Sequence, residues 1–219
     1  MAKVLGYGEI LIRLSPKLGG TWLREATVPA YVGGAELNTV TALANWGIEV
    51  GYCTALPTNF LSEEIKLYLE NKKIDTSTIL TNGQRIGIYL LPQGNDMKSE
   101  GVIYDRANSA FALLTPNTID WTAILENTSW LHISAISPAL SADAAAVTLE
   151  VVKAASERNI RISIDLNYRA KLWQYGKQPT EIMPEIARYA NLIMGNIWSA
   201  NAPLGISMNE KVAVNEATK

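Results

Sequence analysis

The sequence predicts an α/β fold, a mostly parallel sheet covered by helices on both faces with a small β appendage. Three observations carry that expectation. From Trp130 to Asn196, strand-like runs and helix-period runs alternate, the pattern of a parallel sheet with helical crossovers. A glycine pair, Gly33-Gly34, opens a helix-period run that lies between two strand-like segments. Two short β-rich runs around a polar loop, residues 85–91 and 102–106, interrupt the alternation and read as an antiparallel hairpin outside the main sheet.

The elements follow in order. Residues 3–14 (KVLGYGEILIRL) read as one strand continuing outward. Residues 15–33 are punctuated by Pro and Gly, with short extended pieces at Thr21-Trp22-Leu23 and from Val28 to Val32. After Gly34, the spacing of Leu37, Val40, Ala44 and Ile48 places one apolar helix face, and Gly47 sits where that helix would stop. Residues 49–56 read as a strand, and Ser62 to Asn71 as a helix turning Leu61, Ile65 and Leu69 inward. Beyond the hairpin come a strand from Trp130 to Ser134 and a helix from Ser141 to Arg158. Ser141 is its N-cap, and Val147, Val151 and Ala154 form its buried face. A strand from Arg161 to Leu166, a helix ending near Ala190 with Pro184 in its early part, and a strand from Leu192 to Met194 complete the pattern. Residues 206–219 contain no further strand, so the last βα unit is barely finished.

Composition narrows the function classes. The chain is 48% hydrophobic and 18% charged, enough apolar mass for one sizeable core. A net charge of −2 and the lack of any run of five like charges argue against nucleic acid and anionic membrane as partners. The N-terminus carries no basic region followed by an apolar stretch, and no apolar run has membrane-spanning length. A cytoplasmic protein is the expectation. The single cysteine, Cys53, lies in a strand-like run and reads as a buried, inert thiol. The single histidine, His132, lies mid-strand and reads as a hydrogen-bonded core residue. With no second histidine or cysteine cluster, no zinc site is expected, and no metal-ligating residue is assigned.

In open parallel sheets ligands bind beyond the carboxyl ends of the strands. Three successive strands end in Ser134, in Asp165-Leu166-Asn167-Tyr168-Arg169, and in Asn196, which brings hydroxyl, amide and guanidinium groups to one rim. Such residues also serve as turns and caps. That reading is preferred for Ser134 alone, and ligand contact is preferred for Asn167 with Arg169. Gly34 at a helix mouth leaves backbone N–H groups open to a ligand, and Asn38 lies one turn inside the same helix. Tyr89, Tyr104 and Arg106 lie on the hairpin. There they suit either a lid over a polar ligand, with arginine matching a carboxylate or phosphate, or ordinary cross-strand packing. Neither G-x-x-x-x-G-K-[ST] nor G-x-G-x-x-G occurs, which weighs against a dinucleotide oxidoreductase.

The run from Gly33 to Gly47 (GGAELNTVTALANWG) resembles the N-terminal signature of PfkB sugar kinases. The stretches GEILIRLSP (8–16), RIGIYLL (85–91), YDRANSA (104–110) and DLNYRAKLW (165–173) resemble the 2-keto-3-deoxygluconate kinase subgroup, in matching order along the chain. The resemblance implies a ribokinase-like three-layer α/β/α domain with a small β-sheet lid, spanning segments of about 10–33 and 84–107, that often forms a homodimer contact. It implies ATP and Mg2+ as cofactors and a sugar acid as substrate. It places Gly34, Asn38, Tyr89, Tyr104, Arg106 and Arg169 on sugar-acid-binding positions, and Ser134, Asn167, Arg169 and Asn196 near the nucleotide phosphates.

Two departures accompany the resemblance. The family's second signature, of the type Asp-Thr-x-Gly-Ala-Gly-Asp, is absent from these 219 residues. Its last Asp is the general base, expected beyond Lys219 together with the nucleotide-binding part of the fold. The family's Asn-x-x-Glu corresponds here to Asn196-Ile197-Trp198-Ser199, with serine in place of the acid. This chain alone is therefore expected to be catalytically silent. The rival readings are a PfkB kinase for a neutral sugar such as fructose, and a non-catalytic sugar-binding or dimerising fragment.

Overall fold

The computed structural model describes residues 3–17, 20–24, 26–92 and 101–207. The chain runs through β1 (Lys3–Tyr7), β2 (Leu11–Leu14), β3 (Ala30–Gly33), α1 (Ala35–Asn45), β4 (Val50–Cys53), β5 (Ala55–Leu56) and α2 (Phe60–Asn71). It continues through β6 (Ile74–Asp75), β7 (Leu80–Thr81), β8 (Gly87–Leu90), β9 (Ile103–Asp105), α3 (Trp121–Ile124) and β10 (Thr128–Ser134). It ends with α4 (Ala142–Glu157), β11 (Arg161–Asp165), α5 (Pro179–Ala187), β12 (Leu192–Met194) and α6 (Ile197–Leu204).

Six strands form the main sheet in the order β12-β11-β10-β1-β4-β6, and every neighbouring pair is parallel. Side chains alternate across it, so each central strand feeds two cores. Leu5 and Tyr7 of β1 join Leu131, Ile133, Val147 and Val151 in one apolar cluster. Val50 and Tyr52 of β4 join Leu37, Val40, Ile65 and Leu69 in the other. Gly6 lets β1 lie close beneath α1, since a Cβ there would stand 2.8 Å from the Val40 side chain. No helix among the described residues is long and apolar enough to cross a membrane.

A separate four-stranded sheet has the order β3-β2-β8-β9. β2 pairs antiparallel with β3 and parallel with β8, and β8 pairs antiparallel with β9. The hairpin expected at 85–106 is its outer half, with Tyr89 opposite Tyr104. The polar loop from Gln93 falls largely outside the described residues.

The structure corrects several boundaries. Residues 3–14 are two strands in different sheets, because the chain leaves the main sheet at Gly8-Glu9-Ile10. Residues 49–56 likewise divide into β4 and β5, and β5 pairs with β7 in a small sheet of its own. Trp22 and Leu23 form a turn. α2 starts at Phe60, where Asn59 caps it by accepting from the Ser62 N–H at 2.9 Å. Ile48 lies past the end of α1, which Gly47 terminates with a φ of +79°. On α4, capped by Ser141 as expected, the deeply buried position is Ala155, and Ala154 packs at the margin.

Cys53 is fully buried, and burial pushes its thiol up to about 12, so it is not a nucleophile at neutral pH. His132 is 4% exposed, with Nδ1 2.9 Å from the Ser163 hydroxyl. Burial holds its pKa below the ordinary 6.5, against a smaller opposing pull from Asp165. The unfolded chain therefore binds more protons in the window just below 6.5, and His132 contributes stability above that value which is lost as pH falls. Urea unfolding compared at about pH 5 and about pH 7.5 should show this loss. His132→Gln should reduce the pH dependence, and an unchanged slope would refute the assignment.

Candidate functional site

The site starts where β1 ends. Gly8 carries the chain past the side chain of Glu36, in the first turn of α1, at a point where a Cβ would lie 2.2 Å from the carboxylate. Glu36 is 2% exposed and accepts from the hydroxyls of Ser134, at 2.5 Å, and Ser137, at 3.5 Å. Burial raises its pKa, and the Ser134 hydrogen bond acts in the opposite direction. Next along the chain, Glu9 accepts from Nε of Arg106 at 2.6 Å, with the two side chains 2% and 5% exposed. This ion pair links the exit of β1 to the end of β9, 97 residues later.

Above this layer lies a cleft of about 190 Å³ between the main sheet and the four-stranded sheet. The mouth of α1 contributes Gly34, Ala35 and Asn38. The second sheet contributes Leu11, Tyr89, Tyr104 and Arg106. The loops after β10 and β11 contribute Ile136, Asn167 and Arg169. Gly34 has no room for a side chain, since a Cβ would meet the Glu9 carbonyl oxygen at 2.8 Å. Burial raises the pKa of the Tyr89 hydroxyl, so it is a neutral donor and acceptor at physiological pH. Arg169 donates to the Tyr168 carbonyl at 3.0 Å and has no carboxylate partner among the described residues. A smaller hollow of about 170 Å³ adjoins the cleft through Tyr104 and Arg169, and is floored by Tyr168 and Trp198 with ring centroids 5.1 Å apart.

Nine residues were expected at a ligand site, and seven of them, Gly34, Asn38, Tyr89, Tyr104, Arg106, Asn167 and Arg169, share the cleft. Two others do not line it. Ser134 is 1% exposed behind the wall, where its hydroxyl donates to Glu36 and accepts from the Ile136 N–H. Asn196 caps α6, its Oδ1 accepting from the Ser199 N–H at 2.7 Å. Sequence reasoning missed Glu9 and Glu36. Acids within apolar runs were the available signal, but their partners lie nearly a hundred positions away.

Two guanidinium groups, two carboxamides, two phenols and open backbone at a helix mouth can together bind a polyhydroxylated acid, the arginines matching its carboxylate. No group of three or more His, Cys, Asp or Glu that could hold a metal occurs among the described residues.

The model of the pfkB family of carbohydrate kinases matches residues 1–219. The 2-dehydro-3-deoxygalactonokinase of Haloferax volcanii is 30% identical over 172 residues, 78% of this chain and 54% of the relative. The 2-dehydro-3-deoxygluconokinase of Bacillus subtilis is 28% identical over 94% of this chain and 64% of the relative. The crystal structure of 2-dehydro-3-deoxygluconokinase from Thermotoga maritima superposes with a TM-score of 0.88 at 32% identity, covering all of this chain and 68% of that one. The chain thus spans roughly half to two thirds of the length of these relatives. A match along the whole sequence, joined to a ribokinase-like sheet order with its appended sheet, establishes that the chain belongs to the pfkB family of carbohydrate kinases.

Proposed function

We propose that the complete protein transfers a phosphoryl group from ATP to 2-keto-3-deoxygluconate, and that this chain supplies the cleft for the sugar acid. One observation carries the reading: Arg106, at the end of β9, and Arg169, on the loop after β11, line the same small cleft as the Gly34 helix mouth. A neutral sugar would leave Arg169 facing the cleft without a charge partner, whereas a carboxylate satisfies it. Gly34, Asn38, Tyr89, Tyr104, Arg106 and Arg169 contact the sugar acid in this reading, and the second sheet closes over it. Asn167 and Arg169 lie on the side where ATP phosphate oxygens would be held, with Asn196 at the neighbouring strand end. ATP supplies the transferable phosphoryl group, and this chain's residues orient the acceptor and exclude water.

A hydrogen-bonded pair involving a charged group contributes about 1.5–3 kcal/mol, which corresponds to roughly tenfold or more in affinity. Isothermal titration of the full-length protein should therefore show 2-keto-3-deoxygluconate binding at least about tenfold more tightly than fructose. Equal or tighter binding of fructose would overturn the sugar-acid assignment in favour of a neutral-sugar kinase.

A further inference from the structure

We infer that Glu9 is a positioning residue for the cleft: it takes Nε of Arg106 and thereby aims the remaining N–H groups of that guanidinium at the ligand. The inference rests on the sugar-acid reading above. Arginine presents its donors in one rigid plane, so fixing Nε fixes the direction of the others. Arg106 is only 5% exposed, yet it lines the cleft, so its small open face is the one turned to the ligand.

The surroundings of Glu9 are arranged around this contact. A Cβ on Gly87, in β8, would lie 2.5 Å from Glu9 Oε1. A Cβ on Gly34 would lie 2.8 Å from the Glu9 carbonyl oxygen. Missing side chains on both flanks leave the space that the carboxylate and its backbone occupy. Oε1 itself is buried with no hydrogen-bond partner among the described residues. Stability alone does not account for such an arrangement, because a buried ion pair generally gives no more stability than apolar residues of the same volume, and an unpaired acceptor detracts from it. The arrangement does account for a fixed guanidinium. It also divides the two arginines: Arg106 is neutralised within the protein and acts as a directed donor, while Arg169 brings the uncompensated positive charge.

Glu9→Gln and Glu9→Asp in the full-length protein separate aim from charge. The first keeps the shape without the charge. The second keeps the charge on a side chain one methylene too short. Isothermal titration with 2-keto-3-deoxygluconate should show about tenfold weaker binding for both, with circular dichroism verifying the fold. In an Arg106→Gln background, whose amide can still donate to Glu9, the Glu9→Gln change should have no further effect on affinity. Unchanged or tighter binding by either variant would overturn the inference, as would an equal loss in both backgrounds. Failure of the unsubstituted protein to bind the sugar acid would instead sink the sugar-acid reading, and this inference with it.

Discussion

Arg106→Ala is expected to lower the free energy of unfolding by about 3–5 kcal/mol and to weaken sugar-acid binding by roughly tenfold or more. Its partner, Glu9, is 2% exposed and already carries one oxygen without a hydrogen-bond donor among the described residues. Removing the guanidinium leaves a whole carboxylate buried and uncompensated, which is the costly way to break such a pair. The ligand loses a directed donor in the same step. Urea unfolding followed by far-UV circular dichroism measures the first effect, and calorimetry measures the second. A loss of stability below about 1 kcal/mol would mean that Glu9 reaches water or another donor once Arg106 is gone.

Phe111→Ala should be comparably damaging to stability, by about 3–5 kcal/mol, for a different reason. Phe111 is fully buried, and its ring lies 5.2 Å from that of Tyr7, which in turn meets Trp121 edge-on at 5.7 Å. Truncation opens a cavity against the last residue of β1, two positions before Glu9. Dense packing prevents the neighbours from closing the space fully. Phe111→Leu, which retains most of the volume, should lose less than half as much. Equal losses for the two variants in urea unfolding would show that the ring contacts, and not the volume, matter most at this position.

The parts legible in the sequence were those governed by local periodicity and capping. The helix opened by Gly34 and closed by Gly47, and the one capped by Ser141, follow from spacing that short-range physics enforces. The run from Lys3 to Leu14 was harder. Both of its halves are apolar β-strands, and alternation continues through the point where the chain changes sheets. Nothing local distinguishes Gly8-Glu9 as a crossing. Its reason is tertiary, the approach of Glu36 from α1 and of Arg106 from β9. Ser134 shows the same limit. A serine ending a parallel strand looks like a rim residue, and only the buried acid beside it turns the hydroxyl inward. The cleft residues were more accessible, because glycine at a helix mouth and arginine just past a strand have chemistry that implies position.

The place of β1 in the sheet bears on how the protein is made. It precedes every other described strand in the chain, yet it ends up between β4 and β10. One of its edges must therefore wait until Ser134 has been synthesised. Contacts this distant in sequence form slowly and leave apolar strand edges open in the interim. A nascent chain arrested before β10 would carry the helix mouth of α1 with no wall opposite it. The cleft itself is complete only after translation has passed Arg169.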